Sequence, residues 1–280
     1  MILIADSGST KTDWRLVNRQ DKAKKIKTTG FNPHFIDVSG IQAALKKELL
    51  LFINKSEVSA IYYYGAGCSL RQKAAIVRKA LQNTFSNAKV FVHTDLLGAA
   101  RALFGKGEGI ACILGTGSNS CYYDGKKIVE NIPSLGYMFG DEGSGAHMGK
   151  VLINDYLKDE MPKDIRAAFD KRYKLTHAKI LTALYNKPYP NRFLASFTKF
   201  LSENNEHLYA KQVQQYSFRA FFHYHIRKYP DYEYVPFACV GSIAYHFNDM
   251  LKQVADENGM CINKTLLSPI DELVAYHLDA

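Results

Sequence analysis

The chain has 280 residues, long enough for two lobes at roughly 100–200 residues per domain. With 47% apolar and 22% charged residues it is ordinary globular material, which excludes a disordered, collagen-like or coiled-coil chain. The net charge of +9 favours anionic partners, but no nucleic-acid-binding module is recognisable and the lysine run around Lys22 reads as an exposed turn and strand edge. Five scattered cysteines form no CxxC pair, arguing against a disulfide framework, a zinc finger or an iron–sulfur cluster. The start, Met1-Ile2-Leu3-Ile4-Ala5-Asp6, reads as no signal peptide, and no window approaches a membrane span. A cytoplasmic protein without membrane or nucleic-acid partners is expected.

In chain order, residues 2–5 read as a strand, 6–11 as a polar turn, and 12–17 and 24–29 as two more strands. Ile41, Ala44, Leu45, Leu49 and Phe52 fall at helical spacing. A strand at 60–64, a helix at 71–85, a strand at 90–93 and a helix at 96–104 follow. This order predicts an α/β sheet with both antiparallel and parallel pairs. Three glycines in residues 105–109 mark a domain boundary. Beyond it, strand, turn (115–119) and strand (120–123) recur, about 109 residues after their first appearance (Gly8 to Gly117). Asp124-Gly125 is a hairpin turn, and a repeat at that spacing indicates a duplicated domain. A helix is expected from about residue 143 to 159, then a helical insertion over about 160–230. A strand at 234–240, a helix after Gly241-Ser242 and a final helix opening at Ser268-Pro269 complete the chain.

Six segments carry chemistry. The turn Asp6-Ser7-Gly8-Ser9-Thr10-Lys11-Thr12 is rich in glycine and hydroxyls, so its backbone N–H groups can approach an anion. Asp6 could hold magnesium through water. It is not a P-loop, because a strand rather than a helix follows. Gly115-Thr116-Gly117-Ser118-Asn119 repeats that character, and two such hairpins placed face to face would cradle a triphosphate. A plain hairpin turn is the competing reading of each alone. In Cys239-Val240-Gly241-Ser242, a glycine between a strand and a helix N-terminus would let a flat ring lie on the backbone. Asp95, after one strand and before a helix, reads either as an N-cap or as a general base at the carboxyl end of a strand. Gly136-Tyr137-Met138-Phe139-Gly140-Asp141-Glu142-Gly143 pairs glycines with two carboxylates, which could accept bonds from ligand hydroxyls or complement a helix dipole. Asn32, held extended before Pro33, could read a hydroxyl or an acetamido group, or serve only as a turn residue. His34 and His147 read as structural, having no partner at metal-ligand spacing.

Together, DSGSTKT at 6–12, HTDLLGAARA around Asp95, ILGTGSNS at 113–120, GDEGS at 140–144 and VGS at 240–242 resemble N-acetylglucosamine kinase. More broadly they resemble the sugar kinase, actin and heat-shock chaperone ATPase superfamily, in the branch that includes the benzoyl-CoA reductase and dehydratase activases. The resemblance spans nearly the whole chain. It implies an α/β fold of two ribonuclease H-like lobes with a nucleotide cleft between them. The first lobe is 1–107 and the second 108–267, with the helical insertion in the second and the helix at 268–280 packing back on the first. It implies that Ser7, Gly8, Ser9, Thr10, Lys11, Thr12, Thr116 and Gly117 meet the ATP phosphates, and that Gly241 and Ser242 meet the adenosine. Asn32, Ser118, Asn119, Gly136, Tyr137 and Asp141 are implied as sugar-binding, and Asp95 as the residue contacting the accepting hydroxyl. Cofactors would be ATP and Mg²⁺ with Asp6, and the partner a small sugar, with a homodimer left open.

The expected activity is phosphorylation of N-acetylglucosamine or a close amino sugar at the 6-hydroxyl. Alternatives are a kinase for N-acetylmuramate or another hexosamine, a non-catalytic sensor, or a partner-activating ATPase without an iron–sulfur cluster. One departure stands out: Ser134-Leu135-Gly136 replaces the family's Gly-Trp-Gly stretch before GDEGS.

Overall fold

The computed structural model describes residues 1–8, 10–18 and 23–279. Ser9 and Lys22, both singled out above, lie outside the described residues. The chain divides into two compact units. The first comprises Met1–Gly107, Asp124–Ile128 and Ser268–Ala280; the second comprises Glu108–Tyr123 and Val129–Leu267.

The first unit is built on β1 (Ile2–Ser7), β2 (Lys11–Val17), β3 (Lys24–Thr29), β4 (Ala60–Gly65) and β5 (Lys89–Thr94). They lie in the order β3-β2-β1-β4-β5. β1 pairs antiparallel with β2 and parallel with β4. The reason is in the connections. A tight turn can only return the chain antiparallel, whereas the segment before β4 carries helix Val38–Ala44 and a π-helical turn, Leu45–Leu49, so β4 enters alongside β1. Alternate β2 residues face a core in which Trp14, Phe31 and Tyr63 are fully buried. The indole N–H of Trp14 is satisfied by Thr28 Oγ1 at 2.9 Å.

The second unit repeats the plan with β6 (Gly109–Leu114), β7 (Ser118–Tyr123), β8 (Ile128–Ile132), β9 (Phe237–Val240) and β10 (Ile262–Leu266). Their order is β10-β9-β6-β7-β8, with β6 antiparallel to β7 and parallel to β9. Substituting β6 for β1, β7 for β2, β8 for β3, β9 for β4 and β10 for β5 turns one sheet into the other. The α/β fold of two related lobes is therefore present. Residues between β8 and β9 are mostly helical, and the longest helix among those described is Leu208–Tyr224.

Several boundaries differ from the sequence expectation. Asp6, Ser7 and Lys11 belong to strands rather than to the turn, because Asp6 pairs with Asp13 and Ser7 with Thr12 in the β1–β2 register. Ser118 and Asn119 likewise open β7. The strand expected at 234–240 begins only at Phe237, after a 3₁₀ turn at Tyr232–Tyr234. β10 had no counterpart in the sequence reading.

Helix Ile270–Leu278 belongs to the first unit, where Arg15 Nε donates to Asp271 Oδ1 at 2.7 Å and Tyr64 Oη bonds His277 Nε2 at 2.8 Å. In the second unit, helix Gly145–Leu157 packs on helix Pro190–Ala195 so closely that a Cβ on Gly149 would sit 1.9 Å from the Leu194 carbonyl oxygen. Gly149→Ala is therefore expected to destabilise the protein by about 1–3 kcal/mol, because two packed backbones must part. Chemical denaturation would show a lower midpoint at unchanged m-value; an unchanged midpoint would refute the close packing.

Candidate active site

In the first unit the β1–β2 hairpin is braced from within. Ser7 and Thr12 are fully buried, and their hydroxyls bond each other at 2.7 Å. Thr12 Oγ1 also donates to the Thr29 carbonyl, and Phe31 N–H to Ser7 Oγ. These two hydroxyls thus fix the hairpin's shape, while Gly8, Thr10 and Lys11 are exposed along its tip. Gly8 N–H donates to the Lys11 carbonyl at 3.0 Å, and Lys11 Nζ lies 3.0 Å from Asp13.

Asp6 and Asp95 are both half-buried. Burial, then Asp95, then Asp13 push the Asp6 carboxyl up to about 7. Burial also raises Asp95, opposed by the Leu96 N–H that its Oδ1 accepts at 2.9 Å. The choice left open for Asp95 is narrowed by the helix start. Thr94 is the N-cap, its hydroxyl accepting from Leu97 N–H, so Asp95 is the first helical residue. Cys68 is a further neighbour of Asp95: its thiol is pushed up to about 12 by burial and then by that carboxylate.

Asn32 is held by its own loop, its Oδ1 accepting from His34 N–H at 3.0 Å. Gly67, at φ +77°, comes so near that a Cβ there would lie 2.5 Å from the same oxygen. The loops after β3 and β4 are thus in contact at Asn32. Among the described residues no three His, Cys, Asp or Glu side chains converge as a metal cluster.

In the second unit, Gly115-Thr116-Gly117 is locked by its own turn and by a helix. Gly115 N–H donates to the Gly117 carbonyl, while Gly145 and Ala146 N–H groups donate to the Gly115 and Thr116 carbonyls at 2.8 and 3.0 Å. Asp141 lies against this turn: Ser118 N–H donates to its Oδ1 at 3.2 Å, and a Cβ on Gly117 would lie 2.9 Å from its Oδ2. Only glycine lets the carboxylate approach. Burial raises the Asp141 carboxyl, with the Ser118 N–H opposing. Asp141 adopts φ +56°, a left-handed conformation that a non-glycine residue holds only when its surroundings fix it. Ser118 Oγ is buried with no partner among the described residues. Asn119 Oδ1 accepts from Asn131 Nδ2 at 2.9 Å, a brace that no motif in the chain marks.

Gly136 (φ +69°) opens the short helix Gly136–Phe139, and the Tyr137 carbonyl accepts from Lys150 Nζ at 3.2 Å. Gly241, at φ +126°, follows β9, and a Cβ there would lie 2.3 Å from the Leu114 carbonyl oxygen. Ser242 begins the next helix and is exposed. Within each unit the named residues therefore gather into one neighbourhood: Asp6, Asp95 and Cys68 in the first, Thr116, Gly117, Ser118 and Asp141 in the second.

His147, whose Nδ1 is 2.8 Å from Ser217 Oγ, is held at about 4 by burial, with Lys150 adding to the effect. His277 is also held at about 4, by burial and then by Arg101 and His93. In the unfolded chain both would titrate near 6.5. Between about 6.5 and 4 the unfolded state therefore binds more protons, so their contribution to stability falls as pH drops through that window. Asp6, raised rather than lowered, contributes in the opposite direction, so site-resolved NMR decides. Both imidazoles are expected in the neutral form at pH 5.5, and a midpoint above 6 would contradict their burial.

No protein-family model matches the chain, and no curated protein matches its sequence. Solved structures do. One, from Porphyromonas gingivalis and described as "Putative N-acetylglucosamine Kinase", is 41% identical, with a TM-score of 0.95 over 100% of this chain and 99% of that one. The chain belongs to the N-acetylglucosamine kinase-like family. It is accordingly an ATP-dependent sugar kinase. A Chromobacterium violaceum structure of the same description is 18% identical over 99% of this chain and 98% of that chain, with a TM-score of 0.72. Component A of (R)-2-hydroxyglutaryl-CoA dehydratase from Acidaminococcus fermentans is 13% identical over 100% and 96%, with a TM-score of 0.51. These last two share the fold alone. No described helix is long and apolar enough to cross a membrane.

Proposed function

We propose that the enzyme transfers the γ-phosphoryl group of ATP to the 6-hydroxyl of N-acetylglucosamine or a close amino sugar. The observation that carries this reading is Asp95, a half-buried carboxylate at the carboxyl end of a sheet strand whose affinity for a proton is raised by burial. Such a group can accept a hydroxyl proton as the oxygen attacks phosphorus. The O6–H bond then breaks toward Asp95, the O6–P bond forms, and the bond from γ-phosphorus to the β-phosphate oxygen breaks to release ADP. Positioning and charge neutralisation contribute most of the rate in such a reaction.

The phosphates are assigned to the backbone of Gly8, Thr10 and Lys11, with Ser7 and Thr12 keeping that loop in shape, and to Thr116 and Gly117. Gly241 and Ser242 are assigned to the adenosine. Asn32, Ser118, Asn119, Gly136, Tyr137 and Asp141 are assigned to the sugar, Asp141 as acceptor and Ser118 Oγ, which has no partner among the described residues, as a hydroxyl contact. Asp6 suits Mg²⁺: it is a hard oxygen donor whose charged form is disfavoured by burial and then by neighbouring carboxylates, and would be favoured by a cation. When bound, Mg²⁺ would neutralise charge on the transferring phosphates.

The test is ADP release with N-acetylglucosamine, glucosamine, N-acetylmuramate, N-acetylmannosamine and glucose, with the product's phosphate position read by NMR. Fastest turnover with N-acetylglucosamine and a 6-phosphate product is expected. Faster turnover of N-acetylmuramate would move the specificity, and ADP release independent of sugar would replace the reading with a partner-driving ATPase.

A further inference from the structure

The longest described helix of the insertion, Leu208–Tyr224, carries a stripe whose contacts are concentrated on the turn after Asp141. Ser217, Phe221 and the C-cap residue His225 recur every four residues, so they lie along one face. Ser217 Oγ meets His147 Nδ1 at 2.8 Å. The Cβ of Phe221 lies 2.8 Å from where a Cβ on Gly143 would stand, and Gly143 is at φ +77°. His225 Nε2 lies 3.0 Å from Glu142 Oε2. Three successive turns of one helix thus touch Glu142, Gly143 and His147.

The His225–Glu142 contact is unusual in its burial. The side chains are 3% and 14% exposed, and they come from positions 83 residues apart. A carboxylate can only accept, so Nε2 carries the proton in this bond. The other ring nitrogen, Nδ1, is buried and has no partner among the described residues. The ring stacks on Phe221 with centroids 5.2 Å apart. An imidazole that leaves one nitrogen unsatisfied in order to reach Glu142 is placed for that one contact, because a buried polar atom without a bond is costly. Glu142 directly follows Asp141, whose left-handed backbone must be held by its surroundings.

We propose that His225 is a positioning residue for sugar binding: through Glu142 it fixes the peptide that aims the Asp141 carboxylate, and the helical insertion serves as the brace of that turn. The proposal rests on the sugar-kinase reading above, with Asp141 as sugar ligand. Removing the ring takes this donor from a carboxylate that is largely shielded from water, and the turn relaxes toward solvent. The nucleotide residues assigned to the first unit are not touched by this change.

The test is a steady-state comparison of wild type, His225→Ala and His225→Gln, with KM for sugar and for ATP measured separately and folding checked by thermal melt. Glutamine keeps a donor nitrogen at the reach of Nε2. His225→Ala is expected to raise the sugar KM at least tenfold with the ATP KM within twofold, and His225→Gln to return the sugar KM to within threefold of wild type. An unchanged sugar KM, a parallel rise of both constants, or a folded His225→Gln no better than alanine would overturn the proposal. Should His225→Ala not fold, Glu142→Ala removes the acceptor of the same contact. A rise in sugar KM alone supports the proposal, and an unchanged value rejects it. A wild-type enzyme that phosphorylates no sugar removes the functional reading and this proposal together, whereas an active wild type with unaffected variants removes the proposal alone.

Discussion

Asp95→Asn is expected to slow phosphoryl transfer to sugar about 10³-fold while leaving ATP affinity within about threefold. At a factor of ten per ~1.4 kcal/mol, that is a loss of about 4 kcal/mol of transition-state stabilisation. The amide keeps the size of the side chain and can still accept at Oδ1 from Leu96 N–H, so the local fold should persist. What it cannot do is take up a proton. Asp95→Ala removes both the base and the contact with the sugar hydroxyl, so it should raise the sugar KM as well. Comparing the two separates proton acceptance from positioning. Stopped-flow measurement of ADP formation, with nucleotide binding followed by calorimetry, would decide. If Asp95→Asn kept more than a tenth of the wild-type rate, the proton would have to leave by another route.

Much of the fold was legible because its signals are local. Trp14, Leu16 and Val17 within residues 12–17 and the glycine-rich turns locate the hairpins, and their recurrence points to a duplicated sheet. β10 was not legible for a physical reason. Ile262–Leu266 is a half-exposed edge strand, Ile-Asn-Lys-Thr-Leu, with no clear apolar face, and it is a strand because β9 presents a parallel edge to it. The expected hairpin turns were too wide, because glycine and hydroxyl content marks where a chain can turn and not where pairing stops. Ser7 and Thr12 satisfy each other across the ladder and so extend it toward the tip. The candidate residues could be found by type and order, since each motif is contiguous. Their couplings could not. Asp6 with Asp95, Asn119 with Asn131 and Glu142 with His225 are contacts that only the folded chain creates.

The second large effect is expected at Asp6, where activity and stability should move in opposite directions. The Asp6 carboxyl is pushed up to about 7 by burial, by Asp95 and by Asp13. Its unfolded value is 3.8, so at pH 8 the folded protein holds a charge that its surroundings disfavour. The sign follows directly: below about 7 the folded state takes up a proton that the unfolded state, above 3.8, does not, and this contribution to stability is lost as pH rises through about 7. Asp6→Asn removes the charge and is expected to raise the melting temperature of the metal-free protein at pH 8. The same substitution removes the proposed cation ligand. Kinase turnover should then fall at least 10²-fold at millimolar Mg²⁺, with partial recovery at higher concentration. Magnesium with nucleotide should raise the melting temperature of wild type more than that of Asp6→Asn, because a ligand that binds only the native state stabilises it by mass action. A destabilised but fully active Asp6→Asn would be inconsistent on both counts. A stabilised and inactive one would mean that the strain at Asp6 is retained for the metal it holds, the pattern expected where function keeps a site away from its stability optimum.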